Sequence, residues 1–304
     1  VNAEVVTFPS RTPQSFAQIL NGIDALPAIG IRGLLRFPAN APARAPLVVM
    51  CIGSRGMASG REEMYAEALT AAGLAVMVVD GNTPRGVAET VSNQGSMPWP
   101  ACTVDALYAL RHVRDDPRVD VDRIALMGYS RGGCVTVMAY DERLQQAVAG
   151  ATRFAAHVAL YPPCYIRWEH PRPTAASLQM ILGGADDLAP AEQGRDYAAA
   201  LTRAGGRVEI VGIPGAHHSF DAAEPATPST GDNLSARDIR VDDAGEMTER
   251  RTGIRAGGDW AGFLEALAAA PGARRGGTSG SGPHPRDVAV APILTFLRRE
   301  LGLR

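Results

Sequence analysis

The sequence predicts an α/β fold: a mostly parallel central sheet with helices on both faces. Short apolar, β-rich runs alternate with longer runs of helical character between residues 46 and 301, the pattern of strands joined by crossover helices. Three of the short runs end in loops that carry a glycine-flanked serine, paired aspartates and paired histidines. In open α/β sheets, ligand-facing groups lie beyond the carboxyl ends of the strands.

The elements follow in order. Glu4 to Phe8 and Ile29 to Phe37 precede the alternation and are expected as antiparallel edge strands. Pro46 to Ile52 is an apolar strand, Arg61 to Ala72 a helix and Leu74 to Asp80 a buried strand. Ala101 to Asp115 reads as a helix and Arg123 to Met127 as a strand. Gly132 to Gln145 mixes small, apolar and polar residues without proline, as a packed helix does. Strands Phe154 to Tyr161 and Leu178 to Leu182, helix Ala191 to Ala204, strand Arg207 to Ile213 and helix Pro285 to Leu301 complete the alternation.

The irregular stretch is 221–284, rich in Pro, Gly, Ser, Asp and Arg. Within it Asp259 to Ala270 reads as a short helix and Gly272 to Pro285 as a flexible connector. The chain is expected to form one domain over 1–304, with 221–284 an insertion that either borders the functional site or runs over the surface.

Composition narrows the partners. The 304 residues carry a formal net charge of −2, which leaves no basic face for nucleic acid, and no apolar run approaches the roughly 20 residues that span a bilayer. A small-molecule partner is expected, with no nucleic acid and no membrane span; oligomeric state stays open. All 30 basic residues are arginine, so lysine Schiff bases and lysine-dependent phosphate loops are excluded. Four cysteines are too few to define a disulfide framework, and Cys51 and Cys134 fall on buried elements. The start at Val1-Asn2-Ala3 permits a processed secreted or periplasmic protein and is also compatible with the cytoplasm.

Gly128-Tyr129-Ser130-Arg131-Gly132-Gly133 follows the apolar run 123–127 and opens a helical stretch. A serine hydroxyl is a poor nucleophile at neutral pH, so it must be exposed on a sharp strand-to-helix turn beside a base and backbone N–H donors. The motif alone is short enough to be an ordinary turn. Downstream, Leu178 to Leu182 ends in Gly183-Gly184-Ala185-Asp186-Asp187, where Asp186 is the candidate acid and Asp187 the alternative. One of the pair is expected to cap the turn. The strand Arg207 to Ile213 then leads into Pro214-Gly215-Ala216-His217-His218-Ser219-Phe220. An imidazole titrating near neutrality suits proton transfer to and from a serine. Paired histidines also suggest a metal, but no Cys/His/Glu spacing around them resembles a metal site. Neither metal nor organic cofactor is expected. The order serine, acid, histidine is that of α/β-hydrolases.

These motifs resemble those of the dienelactone hydrolase family of α/β-hydrolases: the Gly-Tyr-Ser-Arg-Gly-Gly elbow, the Gly-Gly-Ala-Asp-Asp loop, and Pro214-Gly-Ala-His-His-Ser-Phe. The lead-in Val119-Asp-Val-Asp-Arg-Ile124 is similar too, and the resemblance runs from about Ile31 to Phe220 and resumes over Asp287 to Leu301. It implies an α/β-hydrolase fold and an esterase-like hydrolase acting on a small-molecule ester through Ser130, Asp186 and His218, with lactone and amide cleavage as alternatives. The family's histidine stands two residues before phenylalanine, which selects His218 over His217. Enzymes that name the family use cysteine where this chain has Ser130, which points away from dienelactones themselves. Cys134 lies one turn into the next helix and cannot replace Ser130.

The oxyanion donors are expected at the Arg131 backbone N–H and in the loop Gly53-Ser54-Arg55-Gly56, Ser54 first and Arg55 next. In the family, an arginine after the strand ending at Asp80 can meet a substrate carboxylate; Arg85 holds that place here, or else braces its loop against Asp80 or Asp105. Arg131, beside the nucleophile, leaves an acidic substrate open. Met97, Trp99, Tyr129, Tyr161, Tyr165 and Trp168 are candidates for an apolar substrate pocket. An α/β-hydrolase that binds a ligand without catalysis is the remaining alternative.

Overall fold

Strands that pair in parallel on both sides are covered on both faces and read as nearly continuous apolar runs. That constraint selects the centre of this structure, a computed structural model describing residues 3–303. Val1, Asn2 and Arg304, the ends of the expected 1–304 domain, lie outside the described residues. The chain opens with β1 (Glu4–Ser10), α1 (Phe16–Leu20), β2 (Ile29–Arg36), β3 (Ala45–Cys51), α2 (Arg61–Ala71), β4 (Ala75–Asp80) and α3 (Trp99–Val113). It continues through β5 (Val119–Tyr129), α4 (Arg131–Ala139), α5 (Glu142–Ala149), β6 (Ala156–Leu160), the short β7 (Ile166–Trp168), β8 (Ser177–Gly183), α6 (Ala191–Arg203) and β9 (Arg207–Ile213).

Eight of these strands form one sheet in the order β1, β2, β4, β3, β5, β6, β8, β9. From β4 to β9 every pairing is parallel, while β1 and β2 add the expected antiparallel edge. Every residue of β3, β4, β6 and β8 is buried. Alternate residues serve opposite faces. Leu47, Val49 and Cys51 of β3 join the core beneath α3, α4 and α5, while Val48 and Met50 join the core beneath α2 and the C-terminal helix. No helix among the described residues is long and apolar enough to cross a membrane.

Two expectations are corrected. The single helix expected over Gly132 to Gln145 is two, α4 and α5, because Asp141 takes an extended conformation and its carboxylate caps the Arg143 N–H. The stretch 221–284 is not a plain excursion. It carries β10 (Thr227–Asn233), β11 (Ile239–Val241), β12 (Met247–Glu249), α7 (Trp260–Ala269) and β13 (Arg274–Ser279) before α8 (Val290–Glu300) closes the chain. The connector expected at 272–285 contains β13, which pairs antiparallel with β10, and β11 pairs parallel with β7 and antiparallel with β12. Trp260 and Phe263 of α7 enter the same core as Trp99 and Tyr165. Apolar residues spaced along an otherwise polar segment dock it onto the body.

Glycines let α4 approach the sheet. A Cβ on Gly132 would run into the carbonyl oxygen of Cys51, whereas one on Gly212, on β9, would meet nothing within 4 Å. Gly132→Ala is therefore expected to destabilise the fold by ~1–3 kcal/mol through overpacking. Gly212→Ala should leave stability unchanged or slightly raised; thermal unfolding of both variants checks the contrast.

Candidate active site

The carboxyl ends of β5, β8 and β9 carry Ser130, Asp186 and His218, and their side chains meet above the sheet. Ser130 sits at φ 54° and ψ −120° as the residue entering α4. Such backbone costs a non-glycine residue of order 1–3 kcal/mol and persists only where the surroundings impose it. They do so on several sides. The Ser130 N–H donates to the Leu160 carbonyl at 3.0 Å, and Cys134 N–H donates back to the Ser130 carbonyl at 3.0 Å. Cβ atoms on Gly128 or Gly133 would strike the backbone oxygens of Gly132 and Leu160. Those glycines supply room for close packing, and the strained dihedral falls on the serine.

Ser130 Oγ lies 2.8 Å from His218 Nε2, and His218 Nδ1 lies 2.9 Å from Asp186 Oδ2. A carboxylate only accepts, so the proton is assigned to Nδ1, which leaves Nε2 as the acceptor facing the serine hydroxyl. The other oxygen of Asp186 accepts the N–H groups of Leu188 at 2.9 Å and Ala189 at 2.7 Å. Asp186 thus caps its own turn with one oxygen and holds the imidazole with the other. Asp187 faces away: its Oδ1 accepts the Thr278 N–H of β13 at 2.8 Å. His217 also turns aside, with Nδ1 3.2 Å from the Ala185 carbonyl.

Arg131 provides the first N–H of α4, one of the helix-opening donors without an intrahelical acceptor. Ser54 lines the same cleft, its hydroxyl 3.2 Å from Gln94 Nε2 and its carbonyl accepting the Thr90 N–H at 2.7 Å. The Arg131 side chain is 2% exposed. Its Nη2 donates to Asn82 Oδ1 at 3.1 Å, while Nε and Nη1 have no hydrogen-bond partner among the described residues. Arg55 lies at the mouth, 3.4 Å from Glu224.

Trp99 lines the cleft with Tyr165, but five expected contacts, Arg85, Met97, Tyr129, Tyr161 and Trp168, do not. Arg85 takes the bracing role, the second of its two expected readings: it makes two bonds to Asp105 at 2.7 and 2.9 Å and others to Gly81, Arg11 and Thr12. Burial opposes its charge, yet Asp105 more than offsets this and raises its pKa. A buried guanidinium takes the nearest carboxylate, and that was Asp105. Tyr129 points below the elbow, stacked on Tyr65 and donating to Glu62, because a residue adjoining Ser130 on the strand faces the opposite side. Tyr161 is fully buried behind His218, its ring 5.0 Å from the imidazole and its hydroxyl donating to Asp221 at 2.7 Å. Met97 lines a smaller adjoining cavity with Arg131, and Trp168 lies in the core.

The remaining walls were not singled out from the sequence. Pro163 and Leu188 contribute apolar surface, Arg61 and Gln94 polar surface, and Ser229, 231–234 and Ser279 come from the insertion. The one sequence signal for the latter was position, immediately after the histidine loop. That adjacency is physical: Gly280 N–H donates to the His218 carbonyl at 2.8 Å, and Asn233 Nδ2 donates to the Asp187 carbonyl at 3.2 Å. Among the described residues no group of three or more His, Cys, Asp or Glu side chains is placed to hold a metal, and all four cysteines are free.

Comparison with known proteins agrees with this architecture. A model of the dienelactone hydrolase family matches residues 31–244. Esterase 2 of the planctomycete Thermogutta terrifontis, in its native form, is 20% identical and superposes with a TM-score of 0.53 over 73% of this chain and 84% of its own. Its paraoxon-phosphorylated form superposes at 0.53, 20% identical, over 77% and 88%. Its propionate-bound form gives 0.52, 20% identical, over 73% and 86%. These likenesses establish the α/β-hydrolase fold. No curated protein matches the sequence.

Arg85→Met breaks the buried pair with Asp105 and is expected to cost about 3–5 kcal/mol of stability. Its KM for a carboxylate-bearing ester should stay at the wild-type value; thermal unfolding and steady-state kinetics measure the two effects separately.

Proposed function

Since the chain belongs to the dienelactone hydrolase family, we propose that it is a serine hydrolase that cleaves carboxylic esters through an acyl-enzyme. The observation that carries this reading is the unbroken line from Ser130 Oγ through His218 to Asp186, with contacts of 2.8 and 2.9 Å. His218 Nε2 takes the hydroxyl proton as Ser130 Oγ attacks the ester carbonyl. Asp186 stabilises the imidazolium that forms. The carbonyl oxygen, now negative, is met by the backbone N–H groups of Arg131 and Ser54 at the positive end of α4. His218 returns the proton to the departing alcohol, and a water repeats the sequence to free the acid.

The cleft supports a modest acyl group. Trp99, Tyr165, Pro163, Leu188 and Leu234 form an apolar wall beside Ser130. The similar Thermogutta enzyme has been seen bound to propionate and to butyrate, and phosphorylated by paraoxon. A second reading, an ester or lactone bearing a carboxylate, is favoured by the buried Arg131 nitrogens that lack a partner among the described residues.

A fluorophosphonate probe is expected to label the folded protein at Ser130 and to leave Ser130→Ala unmodified. Absence of labelling, with no hydrolysis of short activated esters, would favour a ligand-binding protein without catalysis. His218→Ala should lower kcat by about 10⁴-fold or more, whereas His217→Ala should stay within about threefold of wild type. Equal small losses would remove His218 from the reaction. Leu234→Ala should shift the preferred acyl chain longer, by about fourfold in kcat/KM per methylene received, from ~0.8 kcal/mol each. A series of p-nitrophenyl esters reads this shift, and carboxylate-bearing esters and lactones in the same series test the second reading.

A further inference from the structure

Among the described residues, Ser130, Tyr161 and Ser219 are the non-glycine residues with positive φ, at 54°, 35° and 57°. Ser130 is the proposed nucleophile and Ser219 follows the proposed base. Tyr161, far from both in sequence, has no place in the chemistry set out above. Strained backbone clusters where a structure is constrained by function, so what holds Tyr161 merits an explanation.

Tyr161 follows β6, whose last carbonyl, at Leu160, also receives the Ser130 N–H; the Tyr161 N–H donates to the Ile181 carbonyl at 2.7 Å. Its ring stands edge to face with His218, at 5.0 Å and 70°, and with Phe220, at 5.1 Å and 81°. Its hydroxyl donates to Asp221 Oδ1 at 2.7 Å. Burial pushes the Tyr161 phenol well above its ordinary pKa, so it remains a donor. Asp221 is itself held by Arg61 Nε at 2.7 Å and by the Tyr65 hydroxyl at 2.7 Å. Asp221 lies three residues beyond His218 in the same loop.

Resting on the serine-hydrolase reading, we propose that Tyr161 is a positioning residue: anchored through Asp221 to Arg61, its ring braces the flank of the His218 imidazole. The reason lies in geometry. Hydrogen bonds at Nε2 and Nδ1 fix the imidazole along one line and leave it free to tilt about that line. During turnover the Nε2 bond must break and re-form, first with Ser130, then with the alcohol, then with water. A packed ring on the flank limits tilt throughout, and a misplacement of about 1 Å costs on the order of 100-fold in rate.

Wild type, Ser130→Ala, Tyr161→Phe and Tyr161→Leu are compared by fluorophosphonate labelling rate, by kcat and KM for p-nitrophenyl acetate, and by thermal unfolding. Tyr161→Leu, which keeps buried volume without a ring, should lose about 100-fold in kcat and in labelling rate with KM nearly unchanged. Tyr161→Phe, which keeps the ring without its anchor, should recover most of that loss yet stay about 3- to 10-fold below wild type. Wild-type kcat in either variant overturns the proposal, as does a Phe variant no better than Leu, or a loss confined to KM. If Tyr161→Leu does not fold, the Phe variant decides alone. Failure of the underlying reading looks different: wild type itself would not be labelled at Ser130.

Discussion

The turn from β5 into α4 holds a serine at φ 54°, a conformation that a side-chain-bearing residue leaves unless its neighbours forbid it. Neighbours on several sides forbid it here. The β6 carbonyl at Leu160 takes the Ser130 N–H, α4 begins at once and claims the Ser130 carbonyl, and the glycines at 128, 132 and 133 let that helix press against β3, β5 and β6. A fully buried parallel sheet supplies the rigidity this needs, because interiors packed at crystal density do not deform to relieve a single strained residue. The hydroxyl ends up raised at the sheet's carboxyl edge, with the first N–H of α4 beside it.

Two adjacent aspartates divide the work of joining that edge to the rest of the chain. Asp186 points one oxygen at its own turn and the other at His218. Asp187 points outward and receives β13. The same loop therefore orients the imidazole on one side and moors the insertion on the other, while Gly280 moors it again at the His218 carbonyl. The wall formed by Ser229, 231–234 and Ser279 is consequently fixed to the residues it faces. The cleft wall and the histidine loop share one set of backbone supports.

Several of the 30 guanidinium groups in this lysine-free chain are buried, and their partners decide their meaning. Arg85 is saturated by Asp105 and serves the fold. Arg61 meets Asp221 beneath the cleft: burial works against its charge, and Tyr161, Asp221, Tyr129 and Tyr65 more than compensate. Arg131 is the contrast, buried beside Ser130 with two nitrogens that no acceptor among the described residues meets. A buried cation lacking a full set of acceptors favours negative charge nearby.

The α/β class, the parallel core, the antiparallel edge and the local motifs were legible in the sequence, because apolar runs, glycine turns and strand-to-loop transitions are local consequences of residue type. Asp186 and His218 could be paired with Ser130 on paper since each follows a strand, and parallel topology brings strand ends to one edge. The insertion's role was not legible: β13 looks like a glycine-rich linker until β10 lies beside it. Nor were the directions of Tyr129 and Tyr161, which depend on Glu62 and Asp221, 67 and 60 residues away; for Arg85 the sequence offered a substrate, Asp80 or Asp105, and packing selected Asp105. Residue type determined which groups were able to meet. Only the tertiary structure decided which did, because a buried polar group goes to whichever partner the packing brings within 3 Å, and sequence spacing does not record that.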